Sequence, residues 1–564
     1  MGVADQQTPL HFTLALKQNN INELRRKLSE ISNPKHPDYR QHLRSRDILS
    51  LVAPSQEVRQ EILTWLTQGG IRGCDIRDHG DALEINTTVK IATDLFSFSR
   101  FLDCVHRPTG KHVIIPRGQW QLPDRLCESI ELIVGLSFPP IPLPHNNNNN
   151  LLSRDLHIAP STLQELYEYG NVVEETITSE SKTKQMVASF LNESYSAADL
   201  ALFQNWTTKG SPLVEVVGKN DELRPGTEGT LDVQMITAFP HPNISTVFWL
   251  EDKTNWLYEM AIHLFSLPRA DLPDVVSISY GWWTDDQHAI SPLANNRTSK
   301  SYVERVDTEW IKLGLRGVSI VVASGDSGVH GQTDLSCLAR EFRPDYPGSS
   351  AYVTSVGGTQ FLFARKQAQQ QQEQRMCDRV ECADGTGRRG IEMSVSFDVA
   401  GYVGGGGFSN LSATPHWQKA HVDEYLLENE YLLPAPSFWN RNSRAYPDLT
   451  SAAHHCLIVK NGRVETIGGT SCSAPIVAGI ISLLNLVSLS STGRSLGFIN
   501  PLLYQIHTEK PECFHDITRG DNRGTKAGNP TWCQGFYASE GYDVVAGLGS
   551  PNVTCLVDYI RNSL

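Results

Sequence analysis

The chain has 564 residues, of which 40% are hydrophobic and 20% charged, a composition typical of a folded protein with room for more than one domain. Its net charge of −13 argues against a nucleic-acid partner. We find no apolar run long enough to span a membrane.

Residues 1–133 alternate between strand and helix patterns. Strands are predicted at Pro9–Leu16, Ala82–Thr87 and His112–Pro116, and helices at Ile21–Leu28, Val58–Leu66 and Ile91–Phe101. This order predicts a compact α+β domain with an antiparallel sheet. Because the segment contains no convergent polar cluster, we expect it to have a structural or inhibitory role.

A linker is predicted at residues 134–155. It runs from the stiff, proline-rich stretch 139–145 into five consecutive asparagines at 146–150. Such a segment cannot form a core, and it is where a protease would cut. A second low-complexity run, Gln367 to Gln374, is predicted to be a surface loop of the following domain.

Charge is unevenly divided along the chain. Residues 1–155 hold 18 Lys and Arg against 17 Asp and Glu, giving +1, whereas the remainder carries −14. The first part also contains 7 of the 18 histidines. Because histidines gain charge and carboxylates lose it as pH falls, this asymmetry suits a segment that docks on an acidic body and is released in acid.

The body, residues 156–564, has the pattern of an α/β domain. Short, β-branched apolar runs at 213–217, 275–280 and 318–323 are predicted to be central parallel strands. The stretch 310–315 is predicted to end a crossover helix between the last two strands.

Two acidic residues follow the first of these strands. Glu228 and Asp232 are spaced i, i+4 after Thr227, a predicted N-cap, so they stack on one helix face. Two solvated carboxylates are the usual outcome for such a pair. The alternative is a hydrogen-bonded pair that shares a proton, in which one carboxyl contacts a nucleophile and the other holds it in place.

The third strand ends in Ala323-Ser324-Gly325-Asp326, at the edge where open parallel sheets bind ligands. In subtilisin-like proteases the matching turn carries an Asn that donates to the oxyanion. A carboxylate cannot donate, so Asp326 stabilises an oxyanion only when it is protonated, and a site built on it would work in acid. A turn-forming Asp is the alternative.

A candidate nucleophile, Ser471, lies in the stretch 468–475 directly before the apolar run 476–484. The run predicts a buried helix with Pro475 in its first turn, which places Ser471 at the helix mouth. Unpaired N–H groups and the positive end of the helix dipole favour developing negative charge there. A capping serine after a glycine turn is the alternative.

A histidine base is not available in the right place. His330 comes after Asp326 and lacks the Gly-Thr continuation of the subtilisin-type histidine, so a carboxylate base for Ser471 fits the residues better. Glu228-x-x-x-Asp232, Ser324-Gly325-Asp326 and Gly469-Thr470-Ser471-x-Ser473-x-Pro475, in this order and spacing, resemble the motifs of the sedolisin family of serine-carboxyl peptidases.

The resemblance implies a subtilisin-like catalytic domain with a mostly parallel central sheet. In it Ser471 would be the nucleophile, Glu228 its base, Asp232 the support of Glu228, and Asp326 the oxyanion donor. It also implies an inhibitory or chaperone prosegment at 1–133, processing within 134–155, and one structural calcium ion. The calcium ligands would be Asp516 and Asp543 by side chain and Ile517, Ser539 and Gly541 by backbone carbonyl.

The activity implied is the acid-dependent release of tripeptides from free N-termini of peptides and proteins. An acid endopeptidase of the same family is the alternative, and a catalytically inactive peptide-binding protein on the same fold is disfavoured because all four chemical positions are filled. The partners expected are these substrates and the chain's own prosegment.

Cysteines and glycosylation sequons bear on the compartment. The chain has eleven cysteines without a Cys-x-x-Cys zinc pattern and seven Asn-x-Ser/Thr sequons, so we expect disulfides and a lysosomal or secreted protein, although residues 1–7 do not resemble a leader. The odd count predicts one unpaired thiol, assigned to Cys472. The family resemblance further implies a bridge between Cys337 and Cys533, and leaves open the partners of Cys377, Cys382, Cys513 and Cys555.

Overall fold

The computed structural model describes residues 2–105, 112–118, 121–136, 156–169, 181–205, 214–250, 257–287, 299–362 and 391–564. Most of the predicted linker, the glutamine-rich run, Cys377 and Cys382 lie outside the described residues.

The N-terminal domain is built from two antiparallel sheets and the helices that cover them. Its strands are β1 Gly2–Val3, β2 Pro9–Leu16, β3 Ile76–Asp78, β4 Ala82–Thr88, β5 Arg100–Val105, β6 His112–Arg117 and β7 Ile130–Val134. Its helices are α1 Ile21–Ser32, α2 Ser45–Val52, α3 Gln56–Gln68 and α4 Val89–Phe96.

One of these sheets has the order β3-β4-β2-β7 and the other the order β1-β5-β6. Their core forms around Phe12 of β2 and Phe96 of α4, whose rings meet edge to face at 5.3 Å. The predicted α+β architecture is therefore confirmed. The helix predicted at 91–101 is too long, because Ser97 takes a left-handed φ of 56° that ends α4, and Phe101 lies in β5.

The strands of the body are β8 Thr183–Ser189, β9 Val214–Val217, β10 Ile244–Leu250, β11 Val275–Ile278, β12 Trp282–Trp283, β13 Ser319–Ala323, β14 Asp345–Tyr346, β15 Thr354–Leu362, β16 Ile391–Ser394, β17 Gly407–Ala413, β18 Ser443–Tyr446, β19 Leu449–Ala452, β20 Cys456–Lys460, β21 Arg463–Ile467, β22 Phe514–His515 and β23 Ser550–Pro551. Its helices are α5 Pro160–Leu166, α6 Ala197–Gln204, α7 Thr227–Ile236, α8 Leu257–Ser266, α9 Ser299–Leu315, α10 Phe397–Ala400, α11 Lys419–Glu428, α12 Thr470–Thr492, α13 Asn500–Glu509 and α14 Val553–Ser563.

The main sheet has the order β16-β15-β13-β11-β8-β10-β9, with β19 also paired to β15. All of these pairs are parallel except β15 with β16. Strands β11 and β13 are central, as predicted, and α9 forms the crossover between them. Strand β9 is parallel but lies at the edge, where Glu215 and Val216 are exposed, so its predicted central position is wrong.

Helix α12 packs against the strands of this sheet and against α7. With 23 residues and a mean hydropathy of 2.0 it is long and apolar enough to cross a membrane, which the sequence analysis did not anticipate. It is nonetheless a core helix, because 94% of its apolar window is buried inside the fold. Its N-terminus carries Ser471 to the carboxyl edge of the sheet.

The N-terminal domain docks on the outer helix α9, against which α1 packs. Fully buried at this junction, Arg305 donates to the carbonyls of Leu16 and Asp81 and pairs with Glu131 at 3.0 Å. About two turns further along α9, Lys312 donates to Asp81 Oδ2 at 2.7 Å. Buried cations of the body thus bind acceptors of the N-terminal domain.

Candidate active site

The first acidic motif lies at the start of α7. Gly226 rather than Thr227 occupies the N-cap position, so the predicted cap is displaced by one residue. The carboxylate of Glu193 supplies the missing acceptor, because its Oε2 accepts from the Glu228 N–H at 3.0 Å. A Cβ at Gly226 would lie 2.0 Å from that oxygen, so a glycine is required there. Glu193 comes from a loop 35 residues upstream, and no sequence pattern indicated it.

Glu228 and Asp232 lie one helical turn apart, and neither has any exposed surface. They are therefore not a solvated pair. Burial, followed by the charge of Glu228, raises the pKa of Asp232 well above its ordinary value. Because two buried carboxylates at this spacing repel each other, the pair favours a state in which it holds one proton.

Ser471 is the second residue of α12 and is 7% exposed. Its Oγ donates to the carbonyl of Ser279 at 3.3 Å, and the hydroxyl of Ser279 donates to Asp232 Oδ1 at 2.6 Å. Ser279 follows directly after β11 and thereby joins the carboxyl pair to the candidate nucleophile. The motif search did not select it, although its place at the carboxyl end of a central strand was a usable signal.

Helix α12 begins at Thr470, so Pro475 lies in its second turn. The prediction that Pro475 lies in the first turn is wrong. A proline at this position has no N–H to donate to the carbonyl four residues earlier, which is that of Ser471. The first turn of the helix thus has an acceptor that its own backbone does not serve.

Asp326 lies on the other side of the helix start. Its Oδ1 accepts from the Thr470 backbone N–H at 2.8 Å and from the Thr470 hydroxyl at 2.9 Å. Its Oδ2 lies beside Gly469, where a Cβ would be 3.2 Å away. Thr470 therefore binds Oδ1 of Asp326, and Oδ2 lies at the N-terminus of α12.

Burial raises the pKa of Asp326, while the two bonds from Thr470 and the charge of Lys526 act in the opposite direction. A raised pKa keeps this carboxyl protonated in acid, when it can donate a hydrogen bond. The structure thus brings Glu228, Asp232 and Asp326, the three predicted carboxyls, to the region of Ser471.

His330 is buried and engaged elsewhere. Its Nδ1 lies 3.3 Å from Asp334 Oδ2 and its Nε2 lies 3.0 Å from the carbonyl of Gln534. Burial lowers the pKa of His330, which keeps the ring neutral. Both ring nitrogens are occupied by these neighbours, which agrees with setting His330 aside as a general base.

Three disulfides occur among the described residues: Cys337–Cys533, Cys456–Cys472 and Cys513–Cys555. The first is the bridge that the family resemblance implied. The second corrects the prediction that Cys472 is unpaired: it ties the active-site helix to the start of β20. An odd count predicts an unpaired thiol without saying which one, and the free cysteines of the described chain are Cys74, Cys104 and Cys127 of the N-terminal domain.

The candidate calcium ligands meet in one C-terminal loop cluster. Gly541 N–H donates to Asp516 Oδ2 at 2.8 Å, and Ser539 N–H donates to Asp543 Oδ2 at 2.9 Å. Burial raises the pKa of Asp543 to about 7, and the charge of Asp516 adds to this rise. Within the described part of the chain, no Lys or Arg forms an ion pair with Asp543. Two carboxylates and neighbouring backbone oxygens fit a hard cation such as Ca²⁺.

Comparisons with known proteins agree with this geometry. The family model of the pro-kumamolisin activation domain matches residues 1–138. Tripeptidyl-peptidase 1 of Canis lupus familiaris is 31% identical over 99% of this chain and 92% of its own length. Physarolisin of Physarum polycephalum is 28% identical over 99% of this chain and 95% of its own length.

Among solved structures, Pseudomonas sedolisin, a serine-carboxyl proteinase complexed with pseudo-iodotyrostatin, aligns with a TM-score of 0.54. The alignment covers 73% of this chain and 100% of that one at 21% identity, which supports the fold. The subtilisin-like α/β architecture predicted from the motifs is thus confirmed. With full-length relatives at this level of identity, the chain belongs to the sedolisin family of serine-carboxyl peptidases.

Proposed function

We propose that the protein is a zymogen of an acid-activated peptidase that releases tripeptides from free N-termini. The observation that carries this proposal is the set of buried carboxyls around Ser471: Glu228 and Asp232 on one side of the helix start and Asp326 on the other. Asp232 and Asp326, whose pKa values burial raises, can exchange protons in acid, where a histidine base would be charged and inactive.

In the proposed reaction, Ser471 Oγ turns from the carbonyl of Ser279 toward the substrate and attacks the scissile carbonyl. Glu228 takes the hydroxyl proton, while Asp232 holds Glu228 in place. The same proton then passes to the leaving amine, which departs as the C–N bond breaks and an acyl-enzyme forms. Water releases the acyl group by the reverse sequence, with Glu228 again acting as the base.

Protonated Asp326 is the proposed donor to the oxyanion of the tetrahedral intermediate. Its hydrogen bonds to Thr470 fix Oδ1, so the proton on Oδ2 is the one that can be donated. Activity should fall as pH rises through the pKa of Asp326. Because burial raises this pKa, the loss should occur above the ordinary range of an aspartate.

Replacing Asp326 with Asn tests this role, since an amide donates at any pH. We expect Asp326→Asn to keep activity and to move the alkaline limb of the kcat/KM profile to higher pH. An alkaline limb that stays in place would remove Asp326 from the account of acid dependence.

The release of tripeptides, rather than internal cleavage, is supported by the full-length relatives that are named tripeptidyl-peptidase 1. An acid endopeptidase of the same family is the second candidate. The N-terminal domain would be the inhibitory prosegment, supported by the activation-domain match, with boundaries at 1–133 for the prosegment, 134–155 for the processed linker and 156–564 for the peptidase.

We also propose one structural calcium ion held by Asp516 and Asp543 with the carbonyls of Ile517, Ser539 and Gly541. When bound, the ion would neutralise the two carboxylates and hold the loop cluster closed. A lysosomal or secreted location is supported by the three disulfides, because such bridges persist in oxidising compartments.

The decisive experiment incubates the purified full chain at pH values from about 3 to 8 with one peptide in two forms, free and acetylated at its N-terminus. Product masses should show three-residue fragments only in acid, only from the free peptide, and only after loss of an N-terminal fragment. The matched Ser471→Ala variant should neither process itself nor cleave. Cleavage of the acetylated peptide would establish the endopeptidase, and peptide binding without cleavage at any pH would establish the inactive alternative.

A further inference from the structure

Ser279 contacts both parts of the catalytic machinery at once. Its hydroxyl donates to Asp232 Oδ1 at 2.6 Å and also lies within hydrogen-bond distance, 3.2 Å, of the Ser471 carbonyl. Its own carbonyl accepts from Ser471 Oγ at 3.3 Å. Ser279 is 8% exposed, so water does not compete freely for these bonds.

The contact with the Ser471 carbonyl has a cause in the sequence. In an uninterrupted helix that carbonyl would accept from the N–H of residue 475, but residue 475 is a proline. An unserved buried carbonyl costs free energy, and the hydroxyl of Ser279 offers the replacement donor. Pro475 and Ser279, nearly two hundred residues apart, thus form one local arrangement at the nucleophile.

We propose that Ser279 is a positioning residue of the peptidase reaction, which holds Asp232 and the backbone of Ser471 in fixed relation. This inference rests on the proposed roles of Ser471, Glu228 and Asp232. The side chain of Ser279 binds Asp232 and the Ser471 carbonyl and is not hydrogen-bonded to Ser471 Oγ. It acts through the supporting carboxyl and through the first turn of α12.

A hydroxyl has one proton and two lone pairs, so Ser279 responds to the protonation of its neighbour. When Asp232 is ionised, the hydroxyl proton goes to the nearer acceptor, Asp232 Oδ1. When Asp232 carries a proton on Oδ1, it can donate to Ser279, whose own proton then serves the Ser471 carbonyl. In both states Asp232 stays anchored by Oδ1, and Oδ2, which has no hydrogen-bond partner among the described residues, remains available to Glu228.

The bond from Ser279 also acts on the acidity of the pair. Burial and the charge of Glu228 raise the pKa of Asp232, and the hydrogen bond from Ser279 opposes them by stabilising the ionised form. Removing the hydroxyl should therefore raise the pKa of Asp232 further. The carboxyl that supports the base would then be protonated up to a higher pH, so the acid limb of activity should also lie at a higher pH.

The chain offers a matched control two residues earlier. Ser277 lies on β11 on the same face of the strand as Ser279 and is fully buried. Its Oγ has no hydrogen-bond partner within the part of the chain that the structure describes. Ser277→Ala removes the same atom from the same kind of site without touching the carboxyl pair.

The test compares Ser279→Ala, Ser279→Thr and Ser277→Ala as acid-processed enzymes, with kcat and KM measured across the pH range. We expect Ser279→Ala to lower kcat about 10- to 100-fold, as for one hydrogen bond to a charged group, with little change in KM. The acid limb of kcat/KM should move up by about one pH unit. Ser279→Thr keeps the hydroxyl and should restore both values, and Ser277→Ala should behave like the unchanged enzyme.

A wild-type profile for Ser279→Ala, or a threonine variant as slow as the alanine variant, would overturn the positioning role. If Ser279→Ala does not fold, Ser279→Cys keeps the side-chain volume with a weaker donor. Its acid limb should then lie above that of the threonine variant, and identical limbs would also overturn the inference. If the wild-type enzyme cleaves no peptide, the proposed function itself fails, which is a different result from a failure of the positioning role.

Discussion

Two regions of this molecule hold buried carboxyls in opposite surroundings. At the junction of the two domains, burial would raise the pKa of Asp81, but Lys312 and Arg305 together outweigh it and lower that pKa. Near Ser471, no ion pair contacts Asp232 or Asp326 in the described part of the chain, and burial raises the pKa of both. The same chemical group is a permanent anion that holds domains together in one region, and in the other it is proposed to carry protons.

The largest expected effect comes from removing the base of the proton-carrying region. Glu228→Gln should lower kcat/KM by up to about 10⁴-fold in acid, because the amide cannot accept the Ser471 proton. Stability should not fall, since a buried carboxylate beside Asp232 is replaced by a neutral group of the same size. Urea unfolding measures the stability of this variant and peptide hydrolysis measures its kcat/KM, both on one sample. A variant that loses stability but keeps its rate would show that Glu228 has a structural role instead of a catalytic one.

The junction should show the opposite pattern. Asp81→Asn leaves Lys312 buried with less compensating charge, so we expect the full chain to lose about 3–5 kcal/mol of unfolding free energy. Once processed, the peptidase should keep its kcat, because Asp81 leaves with the N-terminal domain. Asp47→Asn is the control: Asp47 pairs with Arg44 on the exposed surface, and its loss should not be measurable. A lower kcat for the processed Asp81→Asn enzyme would show that the junction and the region around Ser471 are not independent.

The sequence predicted the region around Ser471 better than it predicted the domain junction. The carboxyls near Ser471 sit in short motifs at strand ends and helix starts, and the resemblance of these motifs, in their order and spacing, to those of the sedolisin family indicated their convergence. Asp81, Arg305 and Lys312 are distant in the chain and belong to no motif. Their pairing depends on how two domains dock, which local patterns do not contain.

The errors near Ser471 have similar causes. Glu193 caps α7 from a loop, and Ser279 serves a carbonyl that Pro475 leaves open, so both depend on tertiary contacts. Cys472 was predicted to be unpaired from the odd number of cysteines, but it forms a disulfide with Cys456. The position of Cys456 depends on the pairing of β20 with β21, directly before α12. Strand β9 had the composition of a central strand, and only the strand order placed it at an edge.

The C-terminal acids extend the comparison to a third case. Asp543 resembles the active-site acids in its raised pKa and in having no ion pair among the described residues. A bound cation would make it a permanent anion, as Asp81 is at the junction. At calcium a hundredfold above Kd, we expect a gain of about 2.7 kcal/mol in the unfolding free energy of the processed enzyme.

The pH dependence of that gain follows from the pKa of Asp543, which is raised to about 7 in the folded protein. Without the ion, ionised Asp543 weakens the fold as pH rises from about 4 through 7, whereas protonated Asp543 does not. Chelation should therefore lower Tm most at neutral pH and least in acid. Asp543→Asn should remove the calcium response, and a Tm that chelation leaves unchanged at every pH would remove the metal.

The smallest expected effect concerns a group at the junction that must stay neutral. His42 of the N-terminal domain lies against two glycines of the body: a Cβ at Gly317 would be 2.7 Å from its Nδ1, and one at Gly497 would be 2.7 Å from its Nε2. Burial, then the charges of Arg269, Arg40 and Arg494, lowers the pKa of His42 to about 3. Among the described residues, Arg269 is the one of these cations with an acidic partner, Asp274.

The sign of the effect is the same as for Asp81, because both pKa values are lowered in the folded protein, but the pH window lies higher. A docked His42 with a lowered pKa strengthens docking fully above its ordinary pKa of about 6.5, and this contribution is lost as pH falls from there toward 3, by up to about tenfold per pH unit. Asp81 keeps its charge over that range, so it does not trigger release. His42→Gln should therefore move the release of the N-terminal domain about one pH unit lower.

Hydrogen exchange of the Leu43 amide measures release directly, because its N–H donates to the Leu315 carbonyl across the junction at 2.7 Å. The Ser471→Ala background keeps the chain intact, so the measurement does not depend on cleavage. His112→Gln is the control, since His112 is exposed and pairs with Asp103 of its own domain. If exchange at Leu43 begins at the same pH in both variants, His42 does not sense acid, and the cations around it only pack against its ring.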